Sequence, residues 1–245
     1  MAQALAGRHQ WGLAKKAGTM NRNREAILGR LKTKLNRETR LPTEALARMQ
    51  SLPKSIIPAR GADDLKNKVQ RFMEEAQRVD ATVTQIDVLE DLPGAVRDYL
   101  ASQNLPTEIR VAPTLANVPW ADQPLLAAAT GVAEATDAIG ISCAFGGVAE
   151  TGTLVYLSGA ENPSTLHFLP PTHIAVLAAK DIVGNYESAW ARIRHQSRKE
   201  RGRGNRLPRA VCWVTGPSRS GDIEQTLLLG AHGPQRLHIV VIANG

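Results

Sequence analysis

The sequence predicts an α/β fold built on a mostly parallel open sheet that is flanked by helices. From residue 81 onward, short β-like runs rich in branched residues alternate with segments whose apolar residues recur at helical spacing. The chain has 245 residues, 43% of them hydrophobic, and is therefore long enough to bury one sizeable core. Because strands that alternate with helices usually build parallel βαβ units, Rossmann-like layers are expected.

The first 60 residues are predicted to form a basic helical arm that precedes the main domain, residues 61–245. The arm holds 13 Lys and Arg but only 3 Asp and Glu. A helix is expected over 22–36, and a second, short helix over 43–51. The first helix has four apolar residues on one face: Ile27, Leu28, Leu31 and Leu35. The arm is interpreted either as an accessory segment or as a partner-binding segment.

The main domain is predicted from its alternating pattern. Asp63 is suited to cap a helix. The apolar face of that helix consists of Leu65, Val69, Phe72, Met73 and Ala76. Further helices are expected over 92–103, 181–194 and 223–229. Strands are expected over 81–86, 108–112, 138–143, 152–157, 173–178, 210–215 and 237–242. Trp120 lies in a loop between prolines, where packing is the first interpretation and a pocket wall the second.

Two segments in the C-terminal part of the chain have less regular sequence patterns. Residues 210–242 indicate a strand, a glycine-rich loop, a short helix and a last strand, which together resemble a βαβ unit with a short crossover. Residues 195–209 are polar, basic and glycine-containing, and are predicted to be a mobile solvated connection. Contact with an anionic partner is the alternative for that loop.

Composition excludes several classes of protein. No apolar run approaches the roughly 18 residues of a membrane span, and Met1–Leu5 is too short for the core of a signal peptide. The predicted core is acidic, with 17 acidic and 7 basic residues over 61–191, and only 4% of all residues are aromatic, so nucleic-acid binding is not expected. Two separated cysteines, Cys143 and Cys212, indicate buried thiols and a cytoplasmic location.

A carboxylate in a glycine-containing turn is the first candidate for chemistry. Glu150 lies between an apolar run and the strand that begins near Thr153, so it is expected near the end of a sheet. Beside Thr151 and Thr153, it could serve as a general base or nucleophile if burial raises its pKa. The alternative is a structural carboxylate that accepts backbone hydrogen bonds in the turn.

The loop 216–222 is the second candidate, as an anion-binding site. It follows a predicted strand and opens a predicted helix, so backbone N–H groups and a guanidinium would face the same ligand. The residues assigned to this site are Ser218, Arg219, Ser220 and Asp222. The alternative is a capped turn in which Arg219 pairs with a carboxylate such as Glu224. The loop matches neither the Walker pattern nor Gly-x-Gly-x-x-Gly.

His173 is the third candidate, as an acid or base or as an anion-orienting group, with a structural histidine as the alternative. His232, between two glycine-containing dipeptides, is interpreted in the same way. His167 and His238 lie among apolar residues and are expected to pack in the core. No two histidines have metal-ligand spacing, so no protein-bound metal is predicted.

Four stretches in a fixed order give the chain a resemblance to the lactate-utilization protein C family, which carries the LUD domain. They are residues 149–155 (AETGTLV), 169–174 (LPPTHI), 215–224 (TGPSRSGDIE) and 229–234 (LGAHGP). The resemblance covers roughly residues 62–245. Where related members often carry an acidic residue before the first stretch, this chain has 143–147 (CAFGG), so no carboxylate role is assigned there.

The resemblance implies a NagB/RpiA/CoA transferase-like fold and a role in bacterial oxidation of L-lactate to pyruvate. It implies a non-redox subunit that acts with iron–sulfur partner proteins and holds no cofactor itself. The presence of only two cysteines in this chain agrees with iron–sulfur clusters in the partner proteins, because an all-cysteine iron–sulfur cluster takes four cysteines. By analogy with CoA transferases of this fold, Glu150-Thr151-Gly152 resembles a Glu-x-Gly nucleophile turn. A small anionic ligand and homo-oligomerisation are left open. The alternative function is a stand-alone enzyme acting on a small carboxylate, CoA ester or sugar phosphate.

Overall fold

The computed structural model describes residues 24–31, 33–34, 43, 47, 57, 59–62, 65–200, 207–221, 227–230 and 232–245. The chain divides into two units, residues 1–55 and residues 56–245. In the first unit, residues 24–31 are helical, as predicted, and the apolar side chains Ile27, Leu28 and Leu31 are exposed. Leu35 and the predicted cap Asp63 lie outside the described residues. The assignment of 1–60 as a separate arm stays a prediction.

The second unit is organised around a six-stranded sheet. Its strands are β1 (Thr82–Ile86), β2 (Glu108–Val111), β3 (Ala127–Thr130), β4 (Ile139–Cys143), β7 (Thr172–Ala178) and β12 (Arg236–Ile242). The strand order is β1-β12-β7-β4-β2-β3, and every neighbouring pair is parallel. The predicted mostly parallel α/β fold is therefore confirmed. β3 was not predicted from the sequence.

Two smaller sheets complete the strands. β5 (Gly146–Val148), β6 (Thr153–Leu157), β8 (Ile182–Val183) and β9 (Val211–Val214) form a four-stranded sheet in the order β8-β5-β6-β9. β5 and β6 are antiparallel, as are β6 and β9. A separate hairpin pairs β10 (Arg219–Gly221) with β11 (Leu227–Leu229).

Helices and the second sheet cover the two faces of the main sheet. The helices are α1 (Leu65–Arg78), α2 (Leu92–Ser102), α3 (Thr165–Phe168) and α4 (Tyr186–Glu200). α2 packs on one face through Leu92, Val96 and Leu100. α1 and the four-stranded sheet pack on the other face, and α4 packs against the four-stranded sheet. None of the described helices is long and apolar enough to cross a membrane.

The alternation of side chains along β7 shows how the layers are specified. Ile174 and Val176 point into the cluster that α2 closes, whereas Ala175 and Leu177 point into the cluster beneath α1. Successive residues of a strand face opposite sides of the sheet, so a strand covered on both faces is apolar throughout. That is why 173–178 could be predicted as a buried strand from sequence.

Two predictions about the C-terminal half are wrong. Residues 182–183 form β8, so α4 begins only at Tyr186 and continues to Glu200 through part of the region predicted as a loop. Residues 227–229 form β11 rather than a helix, and β9 and β12 lie in different sheets rather than in one βαβ unit. Residues 201–206 and 222–226 lie outside the described part of the chain.

Three histidines are buried in the core. His167 and His238 are each 2% exposed and His173 is fully buried. Burial lowers the pKa of His167 and of His238 to about 4, and it lowers the pKa of His173 well below the ordinary 6.5. The prediction that His167 and His238 pack in the core is confirmed. All three are therefore neutral near pH 7.

The turn between β5 and β6 packs directly against α1. Gly152 has φ +64, a left-handed conformation that favours glycine, and a Cβ there would overlap the backbone of α1 at Glu75 and Ala76. Gly216, with φ +73, makes a similar approach to Val79 just after α1. Two loops that are distant in sequence are thus held against the same end of one helix.

Acid should destabilise this protein through its buried histidines. Because their pKa values are lower in the folded chain than in the unfolded chain, the unfolded state binds more protons between pH 6.5 and about 4. The free energy of unfolding therefore falls as the pH is lowered, by about 2 kcal/mol for one such histidine between pH 7.5 and pH 5. Urea unfolding followed by tryptophan fluorescence at pH 7.5 and 5 measures the difference.

His167→Phe should remove one histidine's contribution to that pH dependence. Phenylalanine suits the site because the His167 ring packs on Tyr156 and neither ring nitrogen has a hydrogen-bond partner in the described part of the chain. His195→Gln, at an exposed position on α4, is the matched control and should behave like the unmodified chain. An unchanged difference between pH 7.5 and 5 in His167→Phe would contradict the argument.

Gly152→Ala should destabilise the domain by more than about 1 kcal/mol, because the substitution combines a positive φ with overlap on a helix backbone. Gly159→Ala is the control, since a Cβ at Gly159 meets nothing within 4 Å. Both are compared by chemical unfolding at pH 7.5. Equal stability of the two variants would show that α1 yields to the added methyl group.

Candidate functional site

Glu150 lies in the turn between β5 and β6, where the sequence predicted it. The turn is fixed by its backbone: the Ala149 N–H donates to the Val183 carbonyl at 2.8 Å, and the Glu150 N–H donates to the Gly184 carbonyl at 3.1 Å. The side chain of Glu150 is only 10% exposed. A carboxylate this enclosed needs a partner, because desolvation of an unpaired charge is costly.

The partner of Glu150 is Arg60. The Arg60 Nη2 and Nε atoms both donate to Glu150 Oε1, at 2.8 Å and 3.3 Å, while the Arg60 side chain is 62% exposed. Hydrogen bonding and the charge of Glu150 raise the pKa of Arg60. Sequence reasoning missed Arg60, since the two residues are 90 positions apart and nothing near Arg60 signals a contact with the turn.

The segment that carries Arg60 is held against the start of α4. Gly61 and Gly184 touch so closely that a Cβ on Gly184 would overlap the Gly61 carbonyl. Asn185 donates from Nδ2 to that carbonyl at 3.3 Å, and its Oδ1 accepts from the Ser188 N–H at 2.9 Å. Asn185 thus caps α4 and anchors the 59–61 segment at the same time.

Four hydroxyl groups cluster beside Glu150. Thr153 Oγ1 lies 2.7 Å from Thr151 Oγ1, 2.9 Å from the Tyr186 hydroxyl and 2.7 Å from Thr215 Oγ1. Thr151 Oγ1 also lies 2.9 Å from the Tyr186 hydroxyl. Each hydroxyl has one hydrogen to donate. The four contacts can use all four hydrogens, and a hydroxyl that gives up one contact can donate its hydrogen to an incoming acceptor. Tyr186 was missed because its segment was predicted to be the inner face of a longer helix.

The predicted anion loop is folded differently from the expectation. Ser218 is tied down by neighbouring backbone: its N–H donates to the Pro234 carbonyl at 2.8 Å, and its Oγ accepts from the His232 N–H at 3.3 Å. Arg219 forms an ion pair with Asp80 and begins β10. Because β10 pairs with β11, the helix expected to supply N–H donors is absent over 227–229. Asp222 and the side chain of Ser220 lie outside the described residues.

His173 lies inside the sheet. Its Nε2 is 2.8 Å from Ser142 Oγ, and its Nδ1 has no hydrogen-bond partner among the residues that the structure describes. Its pKa is lowered first by burial and then by the nearby His167. This environment is that of a neutral core histidine, which was the alternative considered from sequence. Its catalytic role stays a prediction.

The loops of the three candidates converge only in part. Thr215 joins the loop after β9 to the Glu150 turn. The Gln235 and Arg236 N–H groups donate to the Pro171 carbonyl, which brings the loops before β7 and β12 together. Among the described residues, however, no hydrogen bond or ion pair joins Glu150, His173 and Arg219 to one another. Nor does any group of three or more His, Cys, Asp or Glu there form a metal site.

A groove of about 590 Å³ lies apart from all these residues, between β1 and α2. Tyr99 and His238 line it, with ring centroids 3.8 Å apart and nearly parallel planes. Thr82 Oγ1 is 2.8 Å from His238 Nδ1. None of the site residues predicted from sequence lines this groove.

Comparison with known proteins identifies the family. The LUD domain model matches residues 44–242. "Lactate utilization protein C" from Geobacillus kaustophilus is 28% identical over 91% of this chain and 97% of that protein. The protein of the same name from Geobacillus sp. (strain WCH70) is 39% identical, but the match covers only 40% of this chain and 39% of that protein.

A solved structure agrees at the level of the fold. The crystal structure of a DUF162 family protein from Deinococcus radiodurans has a TM-score of 0.54 and is 18% identical, and the match covers 74% of this chain and 99% of that one. At that identity the likeness concerns the fold alone. The family model covers most of the chain, including the Glu150 turn and the loops before β7 and β12. The chain therefore belongs to the LUD domain family.

Proposed function

We propose that this chain is a component of bacterial L-lactate utilization, the oxidation of L-lactate to pyruvate, and that it acts in the cytoplasm as a non-redox subunit with iron–sulfur partner proteins. The observation that carries the proposal is the nearly full-length alignment with the Geobacillus kaustophilus protein named for lactate utilization. The LUD domain match over residues 44–242 supports it independently of that alignment.

The chemistry of the reaction supports the division of labour. Oxidation of lactate to pyruvate removes two electrons and two protons from the C2 carbon and its hydroxyl group, so an electron acceptor has to lie close to the substrate. This chain has two cysteines, and an all-cysteine iron–sulfur cluster takes four. We assign the electron acceptor to the partner proteins and carboxylate recognition to this chain.

Arg60 is the group best placed to recognise a carboxylate. Glu150 occupies the edge of the guanidinium formed by Nε and Nη2. Among the described residues nothing bonds to the outer edge, Nη1 with the second Nη2 hydrogen, which we assign to another acceptor. Guanidinium forks bind carboxylates with two parallel hydrogen bonds. Thr151 and Thr153 are the neighbouring hydroxyls that we assign to the same site. Ser218 and Arg219, with Ser220 and Asp222, stay proposed contacts for a small anion.

A stand-alone enzyme with Glu150 as nucleophile or base is the second candidate. The enclosed carboxylate in a Glu-x-Gly turn favours it, and the substrate would be a small carboxylate, CoA ester or sugar phosphate. The ion pair with Arg60 argues against it, since one carboxylate oxygen is already engaged. Arg60 would first have to move aside, which would leave the enclosed Glu150 carboxylate without its partner.

Deleting the gene should abolish growth on L-lactate while growth on pyruvate continues, because only the oxidation step would be lost. Growth curves on each carbon source, with and without a plasmid copy, measure this. Equal growth of the deletion strain on both would refute the proposed function.

Glu150→Gln and Arg60→Ala, supplied on that plasmid, should each slow growth on L-lactate at least severalfold and leave growth on pyruvate unchanged. Glu150→Gln preserves shape but removes the charge that fixes Arg60. Arg78→Ala is the matched control, since it removes another exposed arginine–glutamate pair, Arg78 with Glu75. Normal growth of both variants would show that the Arg60–Glu150 pair is not needed for lactate utilization. The proposed role of the chain in lactate utilization would still stand.

The stand-alone alternative predicts a different result for purified protein. If Glu150 acts as a nucleophile, the isolated chain turns over an acyl-CoA or phosphate substrate and Glu150→Gln abolishes that turnover with an unchanged circular dichroism spectrum. If the chain is instead a non-redox subunit of lactate utilization, the isolated chain shows no turnover of these substrates.

A further inference from the structure

The groove between β1 and α2 has the size of a small-molecule site. Its volume of about 590 Å³ falls within the range of roughly 300–1,000 Å³ that such sites occupy. α2 packs on the face of the main sheet opposite the four-stranded sheet, so the groove and the Glu150 turn lie on different sides of the main sheet. A ligand of the groove would therefore be separate from the carboxylate site proposed above.

A buried imidazole nitrogen borders the groove without a partner. His238 lines the groove and is only 2% exposed. Its Nδ1 lies 2.8 Å from Thr82 Oγ1, whereas its Nε2 has no hydrogen-bond partner among the described residues. The ring is neutral near pH 7, so Nε2 donates in one tautomer and accepts in the other. A hydroxyl group suits either tautomer because it both donates and accepts, whereas an ammonium group can only donate.

A carboxylate at the other end of the groove is not used by the fold. Asp91 is the N-cap residue of α2, where an aspartate usually accepts a hydrogen bond from the backbone of the first turn. Its side chain makes no such hydrogen bond, and it lines the groove. Asp91 precedes Tyr99, which stacks on His238, by eight residues, or about 12 Å along a helix. The groove thus has a polar group without a partner near each end.

The charge of the groove disfavours anions. Of the described residues that line it, the charged ones are Asp91 and Asp98, and none is a lysine or an arginine. Arg97 donates to Asp98 Oδ1 at 2.9 and 2.7 Å, which leaves Asp91 without an ion pair among the described residues. A carboxylate or phosphate ligand would therefore be repelled. Hydroxyl groups can instead donate to Asp91, and the Thr84 hydroxyl and the Gln103 amide offer further donors and acceptors.

α2 leaves room for a ligand at Gly94. Glycine is an unfavourable residue in a helix, and the two usual reasons for it are missing here. The φ of Gly94 is not positive, and a Cβ there would meet nothing within 4 Å. Gly94 lines the groove, so a larger side chain would extend into it. The glycine keeps this part of the groove open.

We propose that this groove binds a small, uncharged polyhydroxylated molecule of monosaccharide size. One hydroxyl group donates to the Asp91 carboxylate, and another pairs with His238 Nε2. Because Nε2 is buried and Tyr99 stacks on His238 with ring centroids 3.8 Å apart, the Tyr99 ring shifts slightly as the ligand enters. Ile86 and Ala95 line the same space and contact the carbon atoms of the ligand.

Neutral and anionic probes of similar shape test the proposal on the full chain. D-glucose, D-galactose and myo-inositol are the neutral probes, and D-glucuronate is the anionic one. Each is titrated to tens of millimolar at pH 7.5 while NMR follows the ring nitrogens of ¹⁵N-labelled histidine. At least one neutral probe should shift the His238 signals in a saturable way, and D-glucuronate should bind at least severalfold more weakly.

Two variants locate the binding in the groove. Gly94→Leu should fill the groove and abolish the shift without loss of stability, since nothing packs at that position and leucine favours a helix. Asp91→Asn should weaken binding of the neutral probe severalfold. Asp87→Asn is the matched control, because Asp87 is exposed beside β1 but does not line the groove.

Three results would overturn the proposal. The first is that no neutral probe gives a saturable shift of the His238 signals, which would leave only water in the groove. The second is that D-glucuronate binds as tightly as the neutral probes. The third is that stable Gly94→Leu protein binds the neutral probe as the unmodified chain does.

Discussion

The structure depends on the burial of β7 and β12 between two apolar layers. Both strands are covered by α2 on one face and by α1 with the four-stranded sheet on the other. Parallel strands in this position have no face left for water, so their side chains have to be apolar or satisfied internally. Gly147 shows how tight the contact is, because a Cβ there would come within 2.9 Å of Leu177. The second sheet can approach only because that position has no side chain.

This two-sided burial explains which features could be predicted. The strands at 138–143, 173–178 and 237–242 were found because they are apolar on both faces. Ile182 was misassigned to a helix, since one apolar residue fits a helical face and a paired strand equally well, and the strand is formed by pairing with β5. β3 was missed because an edge strand of alanines has neither the branched side chains nor the alternation of a strand.

The candidate site also contains some features that the sequence predicted and others that it did not. The Glu150 turn and the adjacent threonines were recognisable, since glycine and small polar residues mark a turn that leads into a strand. Arg60 and Tyr186 were not, because their contacts with the turn join segments 90 and 35 residues apart. For His173 the sequence left a catalytic and a structural interpretation open, and the structure shows only that β7 places the residue inside the core. Sequence patterns specify the turn, whereas the partners of its side chains follow from tertiary packing.

Glycine contacts hold the parts of the site in place. Gly61 packs on Gly184, Gly152 on α1 and Gly216 on Val79, so the segments that carry Arg60, Glu150 and Thr215 are positioned by backbone against backbone. The exposed guanidinium of Arg60 can therefore bind a further acceptor through its outer edge, while Glu150 holds the other edge, without displacing the loops. A ligand carboxylate could then bind Arg60 while Glu150 stays enclosed, which suits recognition of an anion better than nucleophilic attack by Glu150.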